Sequence, residues 1–294
     1  MYLEVSNIAA AINKNPYEPT ELIYLILWAR NDPKSLLKYL IDNDLIVNHK
    51  IEEEEVDDEM TLAYENVIKN IDKKNFSTND FTSTSNKIIE EYKKIRPNFK
   101  SDEIKKLETN IKSQIIKENG NIQETNIINN KKYQKGNNKM WYYHIGDHLI
   151  GGKHDANENN LVIEIKSRTN IKNVKKNEYD LCQLIGYLLC MNEKRGKIVQ
   201  NFNKQIFDSN IENNKEYGII DLNENRWNNY KDEIINKLEI FFEECENCIF
   251  NKKINLDKIY KFGKIADITI DGRLININNK YKKICDIINH SDLQ

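Results

Sequence analysis

Apolar and polar residues alternate along LVIEIKS, Leu161 to Ser167, with Ile163 and Ile165 on one side of the alternation and Glu164 and Lys166 on the other. Alternate residues of a strand share a face, so this run predicts a strand with one apolar face and one that carries an acid and a base. Two strand-like runs precede it, KMWYYHIG and HLIGGKHDA, separated by turns at Asp147 and at Asn157 to Asn160. Three such runs in succession predict an antiparallel meander.

Elsewhere the apolar period is helical. Ser6 is placed to cap SNIAAAIN, PTELIYLILWAR is strongly apolar, and NDPKSLLKYLI opens with Asp32 as N-cap and Pro33 at the first helical position. Further helices are expected around Tyr64 and Ile88, after the acidic run Ile51 to Glu59, which reads as a solvated linker or helix face. From Ser101 the residues Ile104, Leu107, Ile111 and Ile115 share a helical face; Gly120 is expected to interrupt it before a weaker helix that carries Glu124. After the strands, YDLCQLIGYLLCM has leucines around much of its circumference, as a buried helix does. Strands are expected at Lys197 to Phe202 and Tyr217 to Leu222, then an amphipathic helix from Trp227 to about Cys248 and a hairpin in ADITIDGRLINI turning at Asp271-Gly272. The fold class predicted is α/β (α+β). A helical N-terminal region over 1–100 belongs to the same domain as a core over 101–250, and a C-terminal hairpin and helix follow over 251–294.

Composition narrows this picture only a little. A chain of 294 residues can bury roughly 75% of its unfolded surface, enough for a full core. The charged share of 31% comes with many Asn, Lys and Ile, the residues of A/T-rich codons, and reflects genome composition and not function. A net charge of -2 gives no overall basic signature, so nucleic-acid contact would depend on local patches such as Lys166 to Lys176 or Lys131 to Lys139. No apolar run approaches the ~20 residues of a membrane span, and the first residues lack the zones of a signal peptide, so a soluble intracellular protein is expected. The five cysteines are expected to be reduced, with Cys245 and Cys248 of EECENC acting as small apolar residues on a helix. His144, His148 and His154 are expected in structural or supporting roles and not as zinc ligands.

In chain order, Glu124, Asp155, Glu164, Lys166, Gln183 and Tyr187 fall on helix, strand, strand, strand, helix and helix. With GGKHD supplying an aspartate, IEIK an E-x-K and QLIGY a Gln-x-x-x-Tyr helix, the pattern resembles the RecB-like branch of the PD-(D/E)xK nuclease superfamily. The opening LEVSNIAAAINKNPYEPTELIYLILW is similar to that of YqaJ-type, phage-lambda-like exonucleases, and Gly120 to Glu124 resembles their Gly-x-x-x-Glu helix. Helices at roughly 50 to 100 look inserted, as in divergent members carried by large DNA viruses.

The resemblance implies a restriction-endonuclease-like core, a central mixed sheet flanked by helices. It implies Mg²⁺, with Mn²⁺ as substitute, held by Asp155, Glu164, the backbone carbonyl of Ile165 and Glu124. Carboxylates converging at a sheet edge suit such a hard cation, which binds through oxygens. The catalytic set implied is Asp155, Glu164, Lys166, Gln183 and Glu124, with Ser6, Tyr187 and Arg168 contacting DNA. Lys166 would orient the attacking water or stabilise charge on the phosphate; its bland alternative is a salt bridge to Glu164. The activity implied is exonucleolytic hydrolysis of double-stranded DNA from a free end, 5′ to 3′, in viral DNA recombination, repair or replication. A single-strand annealing or replication protein as partner, a homo-oligomer, no membrane, and the host cytoplasm or virus factory belong to the same expectation. The alternatives are a structure-specific or restriction-like endonuclease and a non-catalytic DNA-binding module. One departure is that family members place a Trp and a phosphate-holding Arg before the serine; this sequence would need a substitute such as Arg30 or Lys14.

Overall fold

The computed structural model describes residues 1–43, 58–72, 80–95, 101–136, 138–168, 178–202, 205–207, 219–221, 224–255, 257–258, 265–270, 273–278 and 283–285. The chain begins with strand β1 (Tyr2–Glu4), a 3-10 turn at Val5–Asn7 and the one-turn helix α1 (Ile8–Ala11). Helices α2 (Thr20–Asn31), α3 (Pro33–Asp42), α4 (Asp58–Ile68), α5 (Phe81–Ile95) and α6 (Ser101–Lys131) follow. Strands β2 (Gln134–Lys135), β3 (Trp141–Ile145), β4 (His148–Gly152), β5 (Ala156–Glu158) and β6 (Leu161–Ser167) lead to helix α7 (Glu178–Met191). Strands β7 (Arg195–Phe202), β8 (Gln205–Phe207) and β9 (Ile219–Asp221), helix α8 (Glu224–Asn251), and strands β10 (Ile265–Ile270), β11 (Arg273–Asn278) and β12 (Lys283–Cys285) complete it.

Local chemistry explains the clearest boundary. The Asp32 carboxylate accepts from the amide of Ser35 at 3.1 Å and Pro33 opens α3, so a donor without a helical partner is satisfied and no needed N–H is lost. Ser6 does not cap α1 as expected. It lies exposed in the 3-10 turn, and the cap position is Asn7, without a side-chain bond.

The protein is mixed α/β, with mixed sheets flanked by helices. A six-stranded sheet runs β2-β5-β6-β7-β8, with β9 also pairing β7; β6 and β7 are parallel and the other pairs antiparallel. The parallel pair needs a crossover, and α7 supplies it. A three-stranded sheet of order β1-β4-β3 has β1 parallel to β4, and β10-β11-β12 form an antiparallel sheet. The expected meander is therefore split. β3 and β4 pair, as do β5 and β6, but the chain changes sheets between Gly152 and Ala156. Pairing of Ile270 with Arg273 fits the expected hairpin; its Asp271-Gly272 turn and the tail beyond Cys285, where a helix was expected, lie outside the described residues.

The two faces of β6 are filled as its alternation predicts. Ile163 and Ile165 pack with Val199 and with Ile127 and Ile128 of α6, whereas Val162 joins the core around α7. That larger core takes in Leu184, Ile185 and Leu188 of α7, Leu25 and Trp28 of α2, and Leu238, Phe241, Phe242 and Cys245 of α8. Cys245 is a wholly buried core residue, as the sequence reading of EECENC expects. A second core joins α4, α5 and the first half of α6 through Ala63, Ile88, Tyr92, Ile111 and Ile115.

Helix α6 runs without interruption through Gly120, at 1.5 Å per residue about 46 Å long. A side-chain carbon added at Gly120 would meet nothing within 4 Å, so this glycine permits no close backbone approach. Gly120→Ala should therefore stabilise the protein by about 0.5–1 kcal/mol, raising Tm by about 2 °C, since alanine lowers the entropy cost of the helix interior. A lower Tm in thermal unfolding would mean that the glycine makes room for a neighbour.

Candidate active site

The site forms where the chain passes from β4 to β5. The Asp155 carboxylate accepts from the amide of Ile165 on β6 at 2.6 Å, and its own carbonyl accepts from the amide of Gly136 at 2.8 Å. Gly136 is required at this crossing, because a side-chain carbon there would sit 2.3 Å from the His154 carbonyl oxygen, well inside contact distance. Sequence reading missed this residue, whose setting in QKGNN looks like an ordinary polar loop. His154 is buried, which lowers its pKa and keeps it neutral; its Nε2 lies 2.7 Å from the Asn157 amide nitrogen. Its Nδ1 is buried without a hydrogen-bond partner among the described residues.

On β6, Glu164 is only 2% exposed. Its Oε1 lies 2.6 Å from the Lys166 ammonium, while among the described residues its buried Oε2 has no hydrogen-bond partner. The Lys166 ammonium also donates to Gln183 Oε1 at 2.7 Å, and Gln183 Nε2 donates to the Tyr187 hydroxyl at 3.1 Å. A lysine can only donate, so the amide oxygen of Gln183 must face Lys166 and its NH₂ must face Tyr187. Gln183 and Tyr187 lie one turn apart on α7 and share a face. Gly152 leaves room for the tyrosine ring, since a side-chain carbon there would be 2.7 Å from it.

The carboxylates feel one another. Burial, and then the charge of Glu164, push the Asp155 carboxyl up to about 8 against the opposing Ile165 amide. Glu124, half-buried on α6, is raised by burial and by Glu164, while Lys135 opposes the shift. Burial alone would lower the Lys166 ammonium, but the Glu164 carboxylate outweighs it and holds the lysine charged. Tyr187 is raised by burial and then by Glu164, so it remains a neutral phenol.

Excess negative charge around one carboxylate oxygen without a partner is the donor chemistry of a hard divalent cation. Among the described residues, no three His, Cys, Asp or Glu side chains form a ready cage. Mg²⁺ does not demand one, because it keeps several waters and takes one or two carboxylates together with substrate phosphates. Asp155 and Glu164 offer that number of carboxylates, with Glu124 near enough for its charge to be felt.

The structure thus brings together Asp155, Glu164, Lys166, Gln183, Tyr187 and the Ile165 backbone by hydrogen bonds and close approach, while Glu124 is linked to them only through its charge. Ser6 is exposed in the 3-10 turn whose Val5 side chain stands beside Gly152 and Gly186, next to the Tyr187 ring. The Arg168 guanidinium donates to Gln200 at 2.9 Å, to the Tyr179 hydroxyl at 3.2 Å and to buried Asp180. Arg30 pairs with Glu4 and Lys14 with Glu178 at the surface, and 169–176 of the basic patch after Lys166 lie outside the described residues.

No protein-family model matches the chain, and no curated protein matches it. Three solved chains are similar to it. One, titled "Crystal structure of SSO0001", is 18% identical and aligns over 67% of this chain and 94% of its own, with a TM-score of 0.32.

The Asp155 environment has a pH signature. Unfolded, this carboxyl ionises near its usual 3.8; folded and metal-free, it keeps its proton up to about 8. Between those values the native state binds more protons, so stability is lost as pH rises. The Tm of metal-free protein should therefore fall from pH 5 to pH 8, and Asp155→Asn should flatten that fall. Parallel profiles would place the Asp155 carboxyl in contact with water.

Proposed function

We propose that the protein is a divalent-metal-dependent deoxyribonuclease that hydrolyses double-stranded DNA from an end, on a restriction-endonuclease-like core of the YqaJ-type branch of the PD-(D/E)xK superfamily. The observation that carries this reading is the relay Glu164, Lys166, Gln183 and Tyr187, set beside the coupled carboxylates of Asp155 and Glu124. A purely structural ion pair accounts for Glu164 and Lys166 but not for two further carboxylates whose ionisation the charge of Glu164 makes more costly.

Asp155, Glu164 and Glu124 would hold the cation, with the Ile165 carbonyl as the further oxygen implied by the family resemblance. When bound, the cation neutralises phosphate charge and acidifies a water. Lys166, fixed by two acceptors and with 21% of its side chain exposed, retains a donor for a phosphate oxygen or the attacking water. The Tyr187 hydroxyl accepts from Gln183, which leaves its own proton free to donate. The 5′-to-3′ sense, Mn²⁺ as substitute, an annealing or replication partner and a place in viral DNA metabolism rest on the resemblance.

The test is digestion of end-labelled linear duplex and closed circular DNA with Mg²⁺. Wild type should release nucleotides from the linear form and spare the circle. Lys166→Ala should lose about 100-fold or more in rate while keeping its affinity for the cation, which then compensates Glu164. Cleavage of the circle would favour an endonuclease, and DNA binding without cleavage of either form would favour a non-catalytic module.

Glu124 has its own readout. Glu124→Gln should raise the Mg²⁺ concentration needed for half-maximal rate and lower turnover, with metal-free Tm unchanged or slightly higher because like-charge repulsion is relieved. An activity titration superimposable on wild type would return Glu124 to the helix surface.

A further inference from the structure

The acidic side chains of a site in a chain of net charge -2 repel the polyanion they are proposed to cut. The compensating charge lies in two adjoining segments. Residue pairing sets Lys135 opposite Ala156 and Trp141 opposite Gly152, so the stretch that joins β2 to β3 runs alongside the stretch that carries Lys153, His154 and Asp155. The Gly136 amide ties the two together at Asp155. Lys135, Lys139 and Lys153 all stand exposed along this pair of segments. The Lys139 ammonium sits 4.0 Å from the centre of the Trp141 ring, which holds it at the β3 end of this stretch. Lys135 lies close enough to Glu124 to oppose that carboxyl's rise in pKa.

Lysine on an edge strand has a simpler use, to block pairing with another chain. That use covers Lys135 on β2 but not Lys139 or Lys153, which lie outside any strand. We infer that Lys135, Lys139 and Lys153 form a binding ridge for the phosphate backbone of the DNA that flanks the scissile phosphate. This rests on the nuclease reading of the adjacent carboxylates. The ridge reads no sequence, since an ammonium on a flexible stem acts as a point charge toward any phosphate.

Binding of a fluorescent duplex to a Lys166→Ala protein in Mg²⁺, measured between 50 and 200 mM salt, tests the ridge. Each phosphate contact contributes about 0.9 to the slope of log K against log salt. Lys135→Ala with Lys153→Ala should therefore weaken binding at low salt by at least tenfold and reduce the slope by about 2. In the otherwise wild-type protein the same pair should raise KM for DNA more than it lowers kcat. A control pair, Lys252→Ala with Lys253→Ala, removes equal charge from the exposed end of α8 and should change the slope little. Tight DNA binding with an unchanged slope in the ridge variant, or an equal change in the control, would overturn the ridge and leave the nuclease reading standing. Failure of the Lys166→Ala protein to bind DNA at all would overturn both.

Discussion

Glu164 buries a carboxylate on an interior strand of the six-stranded sheet, and among the described residues only Lys166 offers it a charge. An ionised carboxylate in such a place costs several kcal/mol unless it is paired. Lys166 answers one oxygen. The lysine in turn requires an acceptor of its own, and Gln183 provides it from α7. Gln183 is available only because α7 is the crossover between parallel β6 and β7 and so lies across this face of the sheet. The position of Tyr187 follows one helical turn later. The geometry of the site is thus a consequence of compensating one buried acid, whose second oxygen is left without a partner among the described residues.

Two cations two residues apart in the chain have opposite fates. Arg168 lies one residue past β6, its amide still bonded to the Asn201 carbonyl at 2.7 Å, and its planar fork reaches Gln200 on β7 and both Tyr179 and Asp180 at the start of α7. That use matches the fixed donor geometry of a guanidinium. It fastens the beginning of α7 to the end of the sheet, a turn before Gln183. Lys166 carries a single rotatable ammonium and is held by two acceptors, which leaves it a donor. Exchanging the two residue types would give the fastening role to a side chain without a fork and place a broad planar group where a single ammonium now fits between Glu164 and Gln183.

The sequence shows the faces of β6 because a period of two needs only local information, and Ile163 and Ile165 do pack away from Glu164. The split between β4 and β5 was not legible. Alternation says which residues share a face but not which strand lies alongside, and the change of sheet falls in His154-Asp155, which reads equally well as a continuing strand. Gly136 escaped notice for a related reason: its need arises from a carbonyl eighteen positions later in the chain, that of His154, and no local pattern records it. The acceptors of Arg168 were not legible either, because they come from β7 and from α7, both distant in sequence from Arg168.

Helix α6 shows the limit of local rules most plainly. Gly120 and the Asn-rich stretch after it have poor helix propensity, each such residue costing up to about 1 kcal/mol relative to alanine. The helix nonetheless continues, because each half is held by a different core. Ile111 and Ile115 pack with α4 and α5, while Ile127 and Ile128 pack beneath the sheet. Burying a large aliphatic side chain contributes about 1.5–3 kcal/mol, so a few such contacts outweigh the weak middle. The consequence reaches the site. Glu124 stands just past the weak middle, on the stretch that the sheet holds, and its position relative to Asp155 and Glu164 depends on α6 being one rod and not two pieces joined at a glycine.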